Sequence, residues 1–506
     1  MKPIITLLSI LFTSVQLFAQ AASCGTAQTK ASVDQLKASK ALFGKLDVTQ
    51  TEDSKYVPVK FHLIADSVGN GRVKEYDILN QLCILNEYFS NTDFQFYLKE
   101  ADFSYFNSTA IFEDSRTSAL AKNQMLTLKD AHAINVFVVK TTSSNTQGSN
   151  ISYFDPDNDW IVLVKKESED GTNQLSHQMG HFFSLLHTYF GWPLIGGFDS
   201  SYPSWPIAPV NDPAGGLTEN QDGSNCTIAG DLLCDTPPDY GFGGLDFSCN
   251  YTGGAKDPKG TLVDPIENNQ MGSFALSECD PYTFTPDQIN AMYGDYVKPS
   301  RDYLRQSSYV PNTTQVTEPV TLVWPGNNEN LASNIGVTLD WNDVPNAEYY
   351  LLEVSRSLNF SSLTQNYIVT ESQKELPELT ADKKYYWKVT PFNDGASCVN
   401  GLTSPKWKFI ASPLASSNIK EINAWDVIPN PTTASTLKFA IELDKALDIT
   451  AQLVSINGQV LSSKDLKVNT GKQVISMPNT KLSNGTYFLR LISKNGMETR
   501  RVVIQN

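Results

Sequence analysis

The spacing of hydrophobic residues along the first third of the chain predicts a sheet accompanied by helices. Residues 77–89 (DILNQLCILNEYF) place apolar side chains at helical intervals, and a second helix is predicted to begin near Asn173. Alternating or continuous apolar runs predict three strands, at 56–64, 134–139 and 160–164. The pattern therefore predicts an α/β arrangement of a sheet, a backing helix and a second helix that carries histidines.

The pattern becomes irregular after about residue 190 and is then wholly β. Residues 191–285 are rich in Gly, Pro and Asp, and four cysteines explain how this stretch can be ordered with little regular structure. Residues 284–289 (FTPDQI) predict an N-capped helix with proline in its first turn. Residues 319–412 and 423–506 hold strand-like segments without helical spacing, which is typical of β-sandwiches.

Length and breaks in composition predict several domains. The 506 residues are too many for one core and suggest about three or four domains. We predict an α+β domain followed by two all-β sandwich domains. The segments, in order, are a signal peptide at 1–20, a pro-like segment at 21–52, the α+β domain at 53–310, and sandwiches at 316–412 and 423–506.

The N-terminus has the pattern of an export signal. Lys2 supplies a positive start, residues 4–18 are mostly apolar, and Ala19 and Ala21 supply small residues for cleavage. The apolar run is short for a membrane anchor, which is the alternative, and no later segment is apolar enough to cross a bilayer. The mature protein is therefore predicted to be exported and soluble, with no transmembrane segment.

Charge and cysteine content narrow the picture further. The net charge of −15 argues against nucleic acid as a partner, because no basic stripe offsets it. In an exported protein, four of the seven cysteines predict two disulfides, with three connectivities open: Cys226, Cys234, Cys249 and Cys279. Because the count is odd, at least one thiol is free or pairs with another molecule.

A cluster of histidines carries the predicted chemistry. Three of the five histidines of the chain fall within residues 176–187 (SHQMGHFFSLLH). His177 and His181 are four residues apart, so a helix places both on one face. If the helix ends before His187, this third imidazole completes a zinc site with one position left for water. Three unrelated structural histidines are the alternative, which this spacing disfavours.

The same segment matches the metzincin signature HExxHxxGxxH except at Gln178 and Ser184. Further motifs agree in order along the chain: 58–62 (PVKFH), 85–89 (LNEYF), 222–226 (DGSNC), 230–237 (GDLLCDTP) and 284–288 (FTPDQ). Together these motifs make residues 24–305 resemble the pappalysin family of metallopeptidases. The resemblance implies a metzincin-like zinc-peptidase domain with an α/β upper half and an irregular lower half.

The resemblance also implies roles for single residues. Met271 would lie beneath the zinc ion in the turn that joins the two halves, without binding the ion. His62 and His132 match no ligand position, so we predict that they are structural. The implied ligands of one zinc ion are His177, His181 and His187.

Two further features bear on metal binding. Cys24, in the run Cys24-Gly25-Thr26, resembles the family's latency cysteine, which occupies the fourth zinc position until its segment is removed. A free or disulfide-bonded surface cysteine is the alternative. Five aspartates of the loop-rich half could hold calcium, although a solvated acidic loop is the simpler interpretation: Asp222, Asp231, Asp235, Asp239 and Asp246.

Gln178 occupies the position of the family's general-base glutamate. A carboxylate there takes a proton from the zinc-bound water, and a neutral carboxamide cannot. Ser273 stands where the family usually has a tyrosine, and Ser184 stands where a glycine usually turns the chain. The three departures favour a protein without catalysis, and a working peptidase that uses another base is the alternative.

The two predicted sandwiches also resemble known modules. Residues 316–412, with VTLDW, YYLLEV and YYWKV, resemble a fibronectin type III domain, a spacer or a binding module. The last part of the chain, with 428–432 (IPNPT), 456–460 (INGQV) and 482–490 (LSNGTYFLR), resembles the sorting domain of the type IX secretion system. That resemblance implies passage through the secretion machinery of a Bacteroidetes-like bacterium, to the medium or the outer-membrane surface.

Three functions remain open at this point. The first is a zinc-binding pseudopeptidase that binds peptides or proteins at the cell surface. The second is a secreted zinc endopeptidase with impaired or unconventional catalysis. The third is a surface adhesin for which zinc is dispensable. Zinc content separates the third from the others, and proteolysis separates the first two.

Overall fold

A computed structural model describes most of the chain, in the ranges 24–46, 54–143, 151–192, 207–241, 245–246, 248–274, 281–331, 333–361, 363–412, 419–456, 458–477, 482–493 and 496–506. The predicted signal peptide and Cys279 lie outside these ranges. The chain forms two compact units. Unit 1 runs to Thr313 and includes Asp394–Cys398, and unit 2 comprises Thr314–Asn393 and Val399–Asn506.

Unit 1 has seven α-helices among its described residues. Polar side chains cap several of them: Ser108 and Ser118 accept backbone N–H groups at two N-termini, and Thr285 forms a capping box with Gln288. The helices are α1 (Lys30–Phe43), α2 (Glu75–Tyr88), α3 (Thr109–Asp114), α4 (Ala119–Leu128), α5 (Lys165–Glu169), α6 (Gln174–Phe182) and α7 (Pro286–Tyr296).

Six strands of unit 1 form one sheet. They are β1 (Lys55–Ala65), β2 (Phe94–Leu98), β3 (Ser104–Asn107), β4 (Ile134–Val139), β5 (Tyr153–Asp155) and β6 (Trp160–Val164). Their order is β2-β1-β4-β6-β5, with β3 beside the second half of β1. Every pair is parallel except β5 with β6, so β5 is an antiparallel strand at the edge of the sheet.

The central strands are buried on both faces. All of β4 and β6 is buried, and in the second half of β1 only Lys60 is partly exposed. The alternation expected for residues 56–64 is therefore wrong in detail, because parallel strands covered by helices bury both of their faces. The strand itself lies where the sequence predicts it.

Helices α2, α6 and α7 meet the sheet through aromatic side chains. On strand β2, the ring of Phe94 lies 4.9 Å from that of Phe183 and 5.1 Å from that of Tyr293, and the ring of Phe96 lies 4.9 Å from that of Phe89. Burial of one such side chain contributes about 1.5–3 kcal/mol, so this packing fixes α6 firmly beneath the sheet. Helix α1 packs against α7, where Gly294 leaves room for the backbone of Ser39.

The loop-rich part of unit 1 is ordered by turns, short bridges and disulfides. Cys226 is bonded to Cys234, and Cys249 is also disulfide-bonded. Disulfides in this region were predicted. A further bond, Cys83–Cys398, joins residues 315 positions apart, and nothing in the spacing of the cysteines indicated it.

Unit 2 is built from β-strands alone among its described residues, around two hydrophobic clusters. The first cluster includes Trp341 and Trp387, and the second includes Phe439 and Leu491. The strands of the first are β7 (Leu322–Trp324), β8 (Glu329–Leu331), β9 (Thr338–Trp341), β10 (Tyr349–Ser355), β11 (Thr364–Val369), β12 (Gln373–Glu375), β13 (Lys383–Phe392) and β14 (Trp407–Ala411).

The strands of the second cluster are β15 (Ile422–Val427), β16 (Lys438–Leu443), β17 (Leu447–Ser455), β18 (Val460–Val468), β19 (Gly471–Ser476), β20 (Gly485–Ser493) and β21 (Gly496–Ile504). The sheets are β11-β10-β13-β14-β8 with β12-β9-β7, and β15-β16-β19 with β18-β17-β20-β21. The broad prediction of an α+β region followed by β-sheet segments is therefore confirmed.

Candidate metal centre

Helix α6 presents His177 and His181 on one face. The Nδ1 atom of His177 lies 2.7 Å from the carbonyl oxygen of Gln270, and that of His181 lies 2.8 Å from the carbonyl oxygen of Leu185. A carbonyl only accepts, so each Nδ1 must carry the proton and donate it. Each Nε2 is therefore left with a free lone pair, which is the arrangement of a histidine that binds a metal.

The chain turns sharply after α6 and brings back His187. The helix ends at Phe182, and Ser184 adopts the left-handed conformation with φ of 70°. This conformation is strained for a residue with a Cβ atom. The Ser184 hydroxyl donates to Asp295 at 2.5 Å, and this bond offsets part of the strain. Serine therefore makes the turn at the position where the metzincin signature has glycine.

The three imidazoles meet at one point. The Nε2 atom of His187 lies 3.1 Å from that of His177 and 3.0 Å from that of His181. Tetrahedral zinc with Zn–N bonds of about 2.0–2.1 Å separates two such nitrogens by about 3.3 Å. Lone pairs held this close repel one another unless a cation lies between them. The donor set therefore fits one zinc ion.

Cys24 adds a fourth donor. Its Sγ atom lies 3.4 Å from Nε2 of His181, and the four ligand atoms of Cys24, His177, His181 and His187 all lie within 4.8 Å of one another. Cys24 is a free cysteine. The Cys24 side chain thus lies where a fourth ligand, or a water molecule in its place, would complete a tetrahedron.

Burial and the neighbouring charges shift the pKa values of the side chains in the cluster. Burial, followed by the charge of His181, lowers the pKa of His187 to about 3. Burial alone would raise the pKa of the Cys24 thiol, but the imidazoles, led by His181, hold it well below its ordinary value. Burial also opposes a charge on His177, yet the Cys24 thiolate raises the pKa of that imidazole. A thiolate at Cys24 and a charged imidazole at His177 therefore stabilise each other.

Gln178 faces the N-terminal segment. Its Nε2 atom donates to Sγ of Cys24 at 3.2 Å and to the carbonyl oxygen of Ser152 at 3.3 Å. Its Oε1 atom accepts from the hydroxyl of Thr26 at 2.6 Å. The sequence predicted a role for Cys24, but neither Thr26 nor Ser152 was predicted as a partner of Gln178.

The segment Cys24–Gln28 runs beside the edge strand β5. Gly25 N–H donates to Ser152 O at 3.0 Å, and the Thr26 hydroxyl accepts from the N–H of Phe154 at 2.9 Å. Arg116 donates to the carbonyl oxygen of Gly25 at 2.8 Å. The side chain of Gln28 accepts the N–H of His187 at 3.2 Å. The segment therefore covers the cluster of histidines from the side of the sheet.

Met271 lies under α6. Its side chain is fully buried and leaves no room for a Cβ atom on Gly180, which directly precedes His181. The preceding residue, Gln270, supplies the carbonyl that orients His177. Ser273, at the position of the family's tyrosine, instead bonds to Asp239 through its N–H and its hydroxyl, both at 2.9 Å. Its side chain is thus committed to the loop.

Glu167, in the short helix α5 that follows β6, was not predicted from the sequence. Its carboxylate accepts from the hydroxyl of Ser152, whose carbonyl oxygen accepts from Gln178. Burial raises the pKa of Glu167 to about 7, and the charge of Cys24 adds to the rise. A carboxyl group that titrates near neutral pH therefore lies within electrostatic range of the centre.

The aspartates of the loops differ in their surroundings. Asp231 and Asp239 are buried and hydrogen-bonded, so the expectation of a solvated acidic loop is wrong for them. Asp235 holds the N-terminus of α7 through Thr285 and the N–H of Asp287. Asp222 and Asp246 are exposed. Calcium binding stays a prediction.

The other two histidines lie away from the cluster of ligands. His62 is buried, stacks on Phe137 with ring centroids 4.3 Å apart, and bonds through Nε2 to Asn135 at 2.9 Å. Burial lowers the pKa of His62 to about 4, which keeps this imidazole neutral. His132 is exposed at a turn, where its N–H donates to Asp130.

Comparisons with known proteins agree with two of the resemblances. Residues 426–505 match the family model of the secretion system C-terminal sorting domain. Over 261 residues the chain is 25% identical to an extracellular metalloprotease of Colletotrichum graminicola, covering 47% of this chain and 74% of that protein.

Two solved structures are also similar. Promirolysin of Tannerella forsythia is 15% identical with a TM-score of 0.33, covering 56% of this chain and 96% of that chain. The FN1–FN3 domains of chicken CNTN1 are 12% identical with a TM-score of 0.20, covering 38% of this chain and 69% of that chain.

The predicted likeness to metallopeptidases and the predicted sorting domain are confirmed. The sorting domain marks a protein that is secreted or attached to the cell surface in a Bacteroidetes-like bacterium. Within the described ranges, no helix combines the length and hydropathy that a membrane span requires. The protein is thus metallopeptidase-like and exported.

Proposed function

We propose that the protein is a zinc-binding, pappalysin-like metallopeptidase homologue without effective catalysis, which binds peptides or proteins at the cell surface. The observation that supports this proposal is the convergence of three imidazole nitrogens beside Gln178. His177, His181 and His187 would hold one zinc ion, and Cys24 would be its fourth ligand. The first unit would then be metzincin-like, and residues 316–412 would be a fibronectin type III spacer.

Catalysis would fail for a chemical reason. Zinc lowers the pKa of a bound water molecule toward neutrality and so supplies a nucleophile. The residue at position 178 must then accept the proton of that water, and the amide of Gln178 has no basic atom at neutral pH. General acid–base help is typically worth about 10²–10⁴ in rate, so we expect at least this loss.

A second candidate function is a working endopeptidase in which Glu167 serves as the base. Its pKa near 7 suits proton transfer at neutral pH, and burial is the main cause of that value. Its carboxylate, however, accepts from the hydroxyl of Ser152, whereas Gln178 is hydrogen-bonded to Cys24. We therefore place this candidate second.

The deciding experiment compares cleavage of a denatured protein by the full chain and by its Gln178→Glu variant. Both are made with and without Cys24→Ser, because the Cys24 segment covers the centre. The full chain is required because a fragment ending near residue 310 would lose the bond of Cys83 to Cys398. Zinc content is measured in every sample, and Gln124→Glu on α4 is the matched control.

The outcomes separate the three hypotheses. If zinc-loaded wild-type chains do not cleave the substrate and Gln178→Glu chains do, the result would support a metal site that lacks only its general base. Equal activity in both chains would refute the pseudopeptidase hypothesis. If that activity is lost in Glu167→Gln, Glu167 is the base. Chains that fold without zinc under zinc-replete conditions would support an adhesin in which the metal site is dispensable.

A further inference from the structure

Both N–H groups of the Gln178 amide and its carbonyl oxygen are hydrogen-bonded to other parts of the chain. The NH₂ group donates to Cys24 and Ser152, and the carbonyl oxygen accepts from Thr26. The 2.6 Å bond from Thr26 is shorter than the usual O–H···O distance of about 2.7–2.8 Å. Two of these three bonds tie α6 to the segment Cys24–Gln28.

A glutamate could not make the same set of bonds. An ionised carboxylate only accepts, so its second oxygen would face the sulfur atom of Cys24 and the carbonyl oxygen of Ser152, which both accept from Gln178. Only the bond from Thr26 would remain. The amide at position 178 is therefore the side chain of this size that satisfies all three partners at once.

The segment Cys24–Gln28 is also anchored by contacts that do not involve Gln178. Within the segment, Arg116 donates to the carbonyl oxygen of Gly25, and the Arg116 guanidinium lies over the ring of Tyr153, 4.1 Å from the centroid. A Cβ atom on Gly25 would collide with the Arg116 guanidinium, so the approach is close. Just after the segment, helix α1 begins and packs on α7 at Gly294. These anchors leave the segment poised directly over the amide of Gln178.

We propose that Gln178 is a docking residue that fastens the segment Cys24–Gln28 over the metal centre, so that the segment is a lasting occupant of the cleft. This inference rests on the proposed function in one respect, namely that Cys24 then completes the zinc ligands. In this proposal the amide at position 178 holds the segment and does not act as a base. A peptide ligand reaches the centre only after it displaces the segment.

The test is the rate at which a fluorescent maleimide labels Cys24 in the folded full chain, since labelling requires the segment to leave. Wild type is compared with Gln178→Glu, Gln178→Met and Thr26→Val, and Gln124→Glu on α4 is the matched control. Mass spectrometry of the labelled peptide confirms the site, and thermal unfolding confirms that each variant is folded. Zinc content is measured separately.

We expect both Gln178 variants to be labelled about tenfold faster or more, because Gln178→Met loses both bonds to the segment and Gln178→Glu loses the bond to Cys24. Thr26→Val should also speed labelling, and Gln124→Glu should not. Unchanged labelling of folded Gln178→Met and Gln178→Glu would overturn the inference, even if Thr26→Val is faster. Zinc content tests the proposed function independently. If the chain holds no zinc but Gln178 still controls the labelling rate, the docking role stands and the proposed zinc binding fails.

Discussion

Substitution of Gly180 by alanine tests whether Met271 supports the metal centre. In a helix interior, alanine is favoured over glycine by about 1 kcal/mol, so an unsupported helix would gain stability. Here the new methyl group would overlap Sδ of Met271 and would lie 3.3 Å from its Cε and 3.4 Å from a ring carbon of Phe284. Overpacking of this kind costs about 1–3 kcal/mol. The two effects have opposite signs, and overpacking should win.

The strain should also reach the metal. Met271 adjoins Gln270, whose carbonyl orients His177, so a shifted methionine moves the acceptor of that imidazole. If about 1–2 kcal/mol is transferred, zinc affinity falls by roughly 5–30-fold, measured by competition with a chromogenic chelator. The double variant Gly180→Ala with Met271→Ala should recover much of the affinity. A Gly180→Ala chain that binds zinc as well as wild type and unfolds at higher temperature would refute the reasoning.

Three other changes have defined outcomes. Burial raises the pKa of Glu167 from 4.5 to about 7, so the contribution of this carboxyl group to the free energy of unfolding is complete below pH 4.5 and is lost as the pH rises through about 7. The Glu167→Gln variant should therefore show a flatter pH dependence of urea unfolding between these two values. Loss of the disulfide in Cys83→Ser with Cys398→Ser should destabilise unit 1 by about 2–5 kcal/mol, and an unchanged unfolding midpoint would contradict this. Asp295→Asn should cost about 3–5 kcal/mol, because it leaves the buried Arg301 without its main partner; Asp302→Asn, at an exposed pair, is the control.

The histidines could be predicted from the sequence because their geometry is local. A spacing of four within one helix fixes the relation of His177 to His181 whatever the rest of the chain does. The return of His187 was also predictable from the length of the segment. The departure at Gln178 needed no structure, because its chemistry depends on the residue type alone.

The partners of Gln178 could not be predicted in the same way. Ser152 lies 26 positions from Gln178 and Thr26 lies 152 positions away, and only the folded sheet edge brings them together. The same holds for the bond of Ser184 to Asp295, across 111 positions. A sequence pattern reports periodicity within an element, whereas these contacts depend on how separate elements pack.

The disulfide of Cys83 with Cys398 turns 316 consecutive residues into a covalent ring, counting both cysteines over the sequence separation of 315. A protease that cuts the backbone once inside this ring produces a nicked chain and releases nothing until the bond is reduced. The strands β15–β21 follow Cys398 and lie outside the ring. One cut between Cys398 and β15 therefore separates the sorting domain and leaves the ring intact. The chain can thus lose its sorting domain and keep the part that carries the histidines.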